Sequence, residues 1–220
     1  MNESSSSPLQ TPSDLRLLEA AAPLEVAELA EACVRFVERK LHTKLDFTVE
    51  TLPLLDHYLL DARTLAQSPK AGAKDPDAPL ELVVRAAGAY LGEVIRRRHA
   101  CWWRLDAPRS ASERASVASG DESRLEFHRL ELVVYPAALV LDTLYATDAT
   151  EHAMSGFELD DADRALVEAR LENIPAVALE EFVRPSTRVE VLDIIVDAVR
   201  AHHTRDGAPP LELEPGDYVH

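Results

Sequence analysis

Cysteine is nearly missing from this chain, with only Cys33 and Cys101 in 220 residues. Two thiols cannot build the disulfide framework of a small secreted scaffold or a four-thiolate zinc site, and no charged and then apolar leader opens the sequence. Reduced thiols in a cytoplasm are expected. Glycine is scarce too, at 7 residues. None of them falls in a Gly-x-Gly-x-x-Gly, Gly-Lys-Ser/Thr or Gly-x-Ser-x-Gly pattern, so nucleotide-binding and serine-hydrolase readings have no support. His99 and Cys101 stand two apart and His202 and His203 are adjacent, yet no Cys-x-x-Cys or His-Glu-x-x-His framework surrounds them. No metal and no cofactor is expected.

Long apolar runs are lacking as well: "AALVL" at 137–141 falls far short of the roughly 20 residues a membrane span requires. Positive charge is outnumbered, with 23 Lys and Arg against 39 Asp and Glu and a formal net charge of −16. The excess sits in the last third, where residues 151–220 carry 16 acidic and 6 basic groups, a net −10. Such a field opposes phosphate backbones and anionic lipid, so neither nucleic acid nor membrane is expected as a partner, and a basic protein is favoured.

What remains is an ordinary hydrophobic content, 46 %, arranged with helical spacing. Val26, Ala30, Cys33, Val34, Val37 and Leu41 recur at intervals of three and four and predict one buried stripe, with Cys33 a core thiol. Leu82, Val83, Ala86, Ala87, Tyr90, Leu91, Val94 and Ile95 predict a second such helix starting at Pro79. Shorter helices are expected from an N-cap at Ser13, from about Thr48, and over "AALVLDTLYA", "ELDDADRALVEARLEN" and "VALEEFV". A last long helix is expected with Thr187 and Glu190 as its capping box. "ACWWRLD" alternates as a strand, "RLEFHRLELVVYP" holds one or two more, and "PPLELEPGDYVH" is at most a short edge strand. Loops are expected over 66–79 and 107–123 from their Pro, Gly, Ser and charged content.

The stretch "GAYLGEVIRRRHACWWRLD" concentrates unusual residues. Gly88 and Gly92, four apart, mark a place where a neighbouring element approaches closely, since each costs about 1 kcal/mol in a helix interior. Glu93 and Arg97 are spaced i, i+4, and Arg96, Arg97, Arg98 and His99 fill the last turn, where cations complement the helix dipole. In the strand that follows, Cys101, Trp103 and Leu105 share one face, and Trp102 and Arg104 the other. The bland reading is a helix packed on a sheet. The sharper one is a shallow anion or peptide pocket made by Trp102, Arg104 and one of the preceding arginines, Arg97 or Arg98, because an indole and a guanidinium together hold a carboxylate or a planar group.

The order of "YLGEVI" helix, basic helix end and Trp-bearing strand, followed by a strand closing on a proline and a helix, resembles an uncharacterised bacterial domain family with a Y-x-G-E helix and a Trp strand. The resemblance covers about residues 45–147 and implies an α+β fold, with no chemistry attached. The sequence as a whole predicts a disordered tail over 1–12 and a single α+β domain over 13–218, a small antiparallel sheet flanked by several amphipathic helices. The expected function is a non-catalytic cytoplasmic protein-binding module, extending to an acidic inhibitor or immunity-like partner of a basic protein. The rival is a small-molecule enzyme with a site near Glu93 and His99.

Overall fold

The computed structural model describes residues 11–66, 78–105, 123–145, 154–173, 177–205 and 211–218. Among them are eight α-helices and one four-stranded antiparallel sheet, a mostly helical α+β fold. Residues 1–10 of the expected tail lie outside the described residues, as do nearly all of the two expected loops.

The first element among the described residues is α1 (Pro12–Glu19), capped at Thr11, whose hydroxyl accepts from the Asp14 amide while Asp14 accepts from the Thr11 amide. This reciprocal box displaces Ser13, the expected cap, into the first turn. In α2 (Leu24–Leu41) the expected stripe is buried from Val26 to Val37, Cys33 included. A 3-10 turn at Val49–Thr51 leads into α3 (Leu52–Ala66). Then comes α4 (Ala78–Arg98), where the structure departs from the expected single apolar face. Every residue from Ala86 to Arg96 is buried, because α2, α3 and α5 surround the helix and α1 covers its end. Gly88 permits this: a Cβ there would stand 2.9 Å from the Ala137 Cα.

Strand β1 (Cys101–Arg104) pairs with β2 (Arg124–Phe127), β2 with β3 (Leu132–Val134), and β3 with β4 (Phe157–Leu159), each antiparallel. Helix α5 (Pro136–Tyr145) lies between β3 and β4, and α6 (Asp161–Leu171), α7 (Leu179–Phe182) and α8 (Pro185–Arg205) follow. Strand β4 was not expected. Three residues are too few for alternation to register, and the strand forms because β3 offers it a partner. Helix α8 starts two residues ahead of its expected box, since Pro185 is tolerated in a first turn and Asp56 of α3 takes over the capping. Its carboxylate accepts from the Ser186 amide at 3.2 Å and the Ser186 hydroxyl at 2.5 Å. Residues 211–218 form no strand.

The register sorts the sheet into two faces. Trp103, Leu125, Val134 and Phe157 line up across the strands on the face toward the helices, and Trp102, Glu126, Val133 and Glu158 line up on the other. One further buried group sits beside the sheet. Arg188 of α8 is fully enclosed, its guanidinium 4.8 Å from the Phe157 ring and 5.0 Å from Phe182, and donates to the Ser155 carbonyl. Burial lowers its pKa to about 10, still far above neutrality.

Candidate functional site

The two adjacent tryptophans of β1 reach two separate carboxylates. Trp103, half-buried against the core, donates from Nε1 to the Glu93 Oε1 at 2.8 Å. Arg96 donates to both oxygens of Glu93, Nε to Oε1 at 2.8 Å and Nη2 to Oε2 at 2.9 Å, and to the Leu17 carbonyl at 3.2 Å. Hydrogen bonding to Glu93 raises the Arg96 pKa against the burial that opposes it. The partner expected for Glu93 was Arg97, one turn on. Its Nε comes only to 3.9 Å, because the Arg97 guanidinium lies over the Phe47 ring at 4.1 Å. Gly92 completes the arrangement, since a Cβ there would stand 2.2 Å from the Trp103 ring.

On the other face, Trp102 donates from Nε1 to the Glu126 Oε2 at 2.8 Å, and Arg124 donates to the Oε1 at 3.1 Å. Glu126 is fully buried. Register sets Arg104 directly opposite Arg124, two like charges that repel unless each finds its own partner. Arg124 has Glu126, and Arg104 donates to the Pro215 carbonyl at 3.1 Å.

Residues 211–218 run across this face. The Leu213 amide donates to the His128 carbonyl at 2.8 Å, and the His128 Nδ1 lies 2.8 Å from the Leu213 carbonyl, which makes Nδ1 the protonated nitrogen. Arg129 holds Asp14 of α1 at 3.0 Å and reaches Glu212 at 3.5 Å. The Tyr218 hydroxyl stands 2.6 Å from the Phe127 carbonyl and 2.5 Å from that of Leu130, sharing its one proton between them. Its ring meets Trp102 edge-on at 6.0 Å. Burial raises the Tyr218 pKa, so the phenol remains a neutral donor.

Of the expected site residues, Trp102 and Arg104 share this face. Arg97 and Arg98 do not join them: Arg97 stacks on Phe47, and Arg98 makes a two-point pair with Asp193 of α8 at 2.8 and 2.7 Å. Glu93 and His99, the rival pair, also face different groups. Glu93 is held by Arg96 and Trp103, while His99 lies 3.1 Å from Asp193. Burial would raise the Asp193 carboxyl, but hydrogen bonds from His99 and Arg98 outweigh it and hold the pKa below the usual value. Both thiols are buried, and burial pushes the Cys33 thiol up to about 12 and raises that of Cys101 as well.

Sequence reasoning missed Glu126, His128 and Tyr218. Glu126 becomes visible only once the β1–β2 register is known, and nothing local in the sequence links His128 or Tyr218 to the strand 26 or 116 positions away from Trp102. Among the described residues no group of acidic, His or Cys side chains is spaced to hold a metal ion, and no helix is long and apolar enough to cross a membrane. Compared with known protein families, with curated proteins and with solved structures, the chain finds no match.

Proposed function

We propose that the protein is a non-catalytic cytoplasmic protein-binding module whose partner is a basic protein, in the manner of an acidic inhibitor or immunity protein. The observation that carries this reading is the outward placement of the acid in the last third. Asp161 and Glu168 of α6 and Glu172 at its C-cap, Glu180 of α7, and Glu190 and Asp197 of α8 are all exposed. Exposed charges of one sign speed the encounter with a surface of the opposite sign and fix its register more than they add affinity.

The geometry at Glu93 weighs against the rival reading of an enzyme site there. A general acid or base needs a carboxylate free to exchange a proton with substrate. Glu93 and Glu126 each have both oxygens occupied by Arg and Trp donors. The groove beside Gly88, lined by Val26, Leu29, Ala89, Trp103 and Pro136, has room for about one water molecule.

Affinity capture from extracts of the native host, at low and at high ionic strength, tests this reading. The wild-type chain should retain a basic protein that high salt releases, and reversing Glu168, Glu172 and Glu190 to Lys should abolish retention while leaving the circular dichroism unchanged. Retention indifferent to both salt and charge reversal would overturn it.

A further inference from the structure

We propose that the outer face of β1 and β2, at Trp102, Arg104 and His128, is a peptide-recognition surface, and that residues 211–218 are its resident ligand, docked in cis. It is a second surface of the same binding module, remote in sequence and chemistry from the acidic helices. The ligand class it fits is an extended acidic peptide that carries a tight turn and a tyrosine, as in Leu-Glu-Leu-Glu-Pro-Gly-Asp-Tyr.

Three features distinguish this contact from plain packing. First, its contacts are those by which proteins bind extended peptides: the Leu213 amide and carbonyl are both taken by His128, through its carbonyl and its ring Nδ1, a second carbonyl is taken by Arg104, and an aromatic edge meets Trp102. Secondly, the segment carries its own preorganisation. The Glu214 amide donates to the Asp217 carboxylate at 2.7 Å and the Asp217 amide to the Glu214 carbonyl at 2.9 Å, closing a turn around Pro215 and Gly216. It is also poorly anchored by apolar burial: Glu212 and residues 214–217 are exposed, and Leu211, Leu213 and Tyr218 are only half-buried.

Thirdly, the surface under the segment is incompletely satisfied by it. His128 is 8 % exposed, and its Nε2 has no hydrogen-bond partner among the described residues. A buried ring nitrogen left without a partner is destabilising. A peptide supplying a hydroxyl or amide at that position therefore gains over the resident one, which gives a foreign ligand a means of displacing the segment.

The test uses the full-length chain and a fluorescein-labelled synthetic peptide of residues 211–218, titrated by anisotropy up to about 1 mM, the effective concentration that a short tether supplies in cis. In the wild type the resident segment competes. In full-length Tyr218→Ala, which loosens that segment, the peptide should bind about tenfold tighter, because apparent affinity scales with the fraction of the face that is free. Adding Arg104→Ala to that variant should weaken the peptide several-fold, and Tyr218→Phe, which keeps the ring, should give a smaller gain of the same sign. Equal affinity for wild type and Tyr218→Ala, or no binding to either Tyr218 variant, overturns the proposal. The salt-dependent capture on α6 to α8 is unaffected by either result, so the two readings fail separately.

Discussion

Trp103 and Trp102 are neighbours on one strand, each donates its indole N–H to a buried glutamate at 2.8 Å, and each glutamate also takes an arginine. The two trios are alike in chemistry and differ in what lies over them. Glu93 and Arg96 belong to the central helix α4, with α1 carbonyls on the far side of the guanidinium. The trio on the outer face lies beside an eight-residue segment that holds no regular structure of its own. The glutamate and arginine of both trios are buried, one pair under packed helices and the other beside a segment without regular structure, so the two faces differ in the kind of cover and not in its extent.

The largest effect should come from removing the acid of the locked trio. Glu93→Ala leaves Arg96, 6 % exposed, without its counter-charge, and a broken buried pair costs about 3 to 5 kcal/mol, read as a fall in the urea midpoint. Gly92→Leu should come next, at about 1 to 3 kcal/mol, because the new side chain meets the Trp103 ring. It should leave the Trp102 face untouched, so unchanged peptide binding in the Tyr218→Ala background accompanies the loss. An unchanged urea midpoint would remove the close-approach argument. Third, Trp103→Phe strips a hydrogen bond from a charged acceptor in the core, about 1.5 to 3 kcal/mol. Trp102→Phe should cost less than Trp103→Phe, since residues 211–218, which hold no regular structure, yield to admit water beside Glu126 more readily than helix α4 does beside Glu93, and an equal cost for both would make the two faces equivalent.

Acid should act in the smallest steps. The Asp193 carboxyl has a folded pKa below its unfolded value of about 3.9, so its contribution is complete above that value and is lost as pH falls through the folded pKa. Asp14 behaves likewise: burial alone would raise it, but Thr11 and Arg129 hold it low. Asp193→Asn should therefore flatten the decline in melting temperature between pH 5 and the acid limb, and a slope identical to wild type would show that the pairing with His99 and Arg98 contributes nothing.

The sequence carried the helices well where the burial was one-sided. In α2 the three-and-four spacing of Val26, Ala30, Cys33, Val34 and Val37 matches the buried stripe, because helix period alone decides which residues face inward. It was less informative for α4, where burial all round brings Glu93 and Arg96 inside and periodicity has no face to report. Caps were misplaced at α1 and α8 for different reasons. Thr11 and Ser13 are both competent caps in local sequence, whereas Asp56 caps α8 from 130 residues away. At the candidate site, alternation in "CWWR" correctly separated the tryptophans onto two faces, and the residue types suggested a pocket of Trp102 and Arg104 with Arg97 or Arg98. Arg97, Arg98 and Arg104 instead have partners of their own, Phe47, Asp193 and Pro215, and these are tertiary neighbours invisible to spacing.

Two tryptophans give two indole N–H signals in a nitrogen-15 correlation spectrum, and their hydrogen-exchange rates test the claim that cover separates the faces. The Trp103 indole should exchange only through global unfolding, and the Trp102 indole faster, through local release of residues 211–218. Tyr218→Phe should accelerate Trp102 by an order of magnitude, roughly the loss of one hydrogen bond, and leave Trp103 unchanged. Equal rates for the two indoles, both indifferent to Tyr218→Phe, would contradict the account.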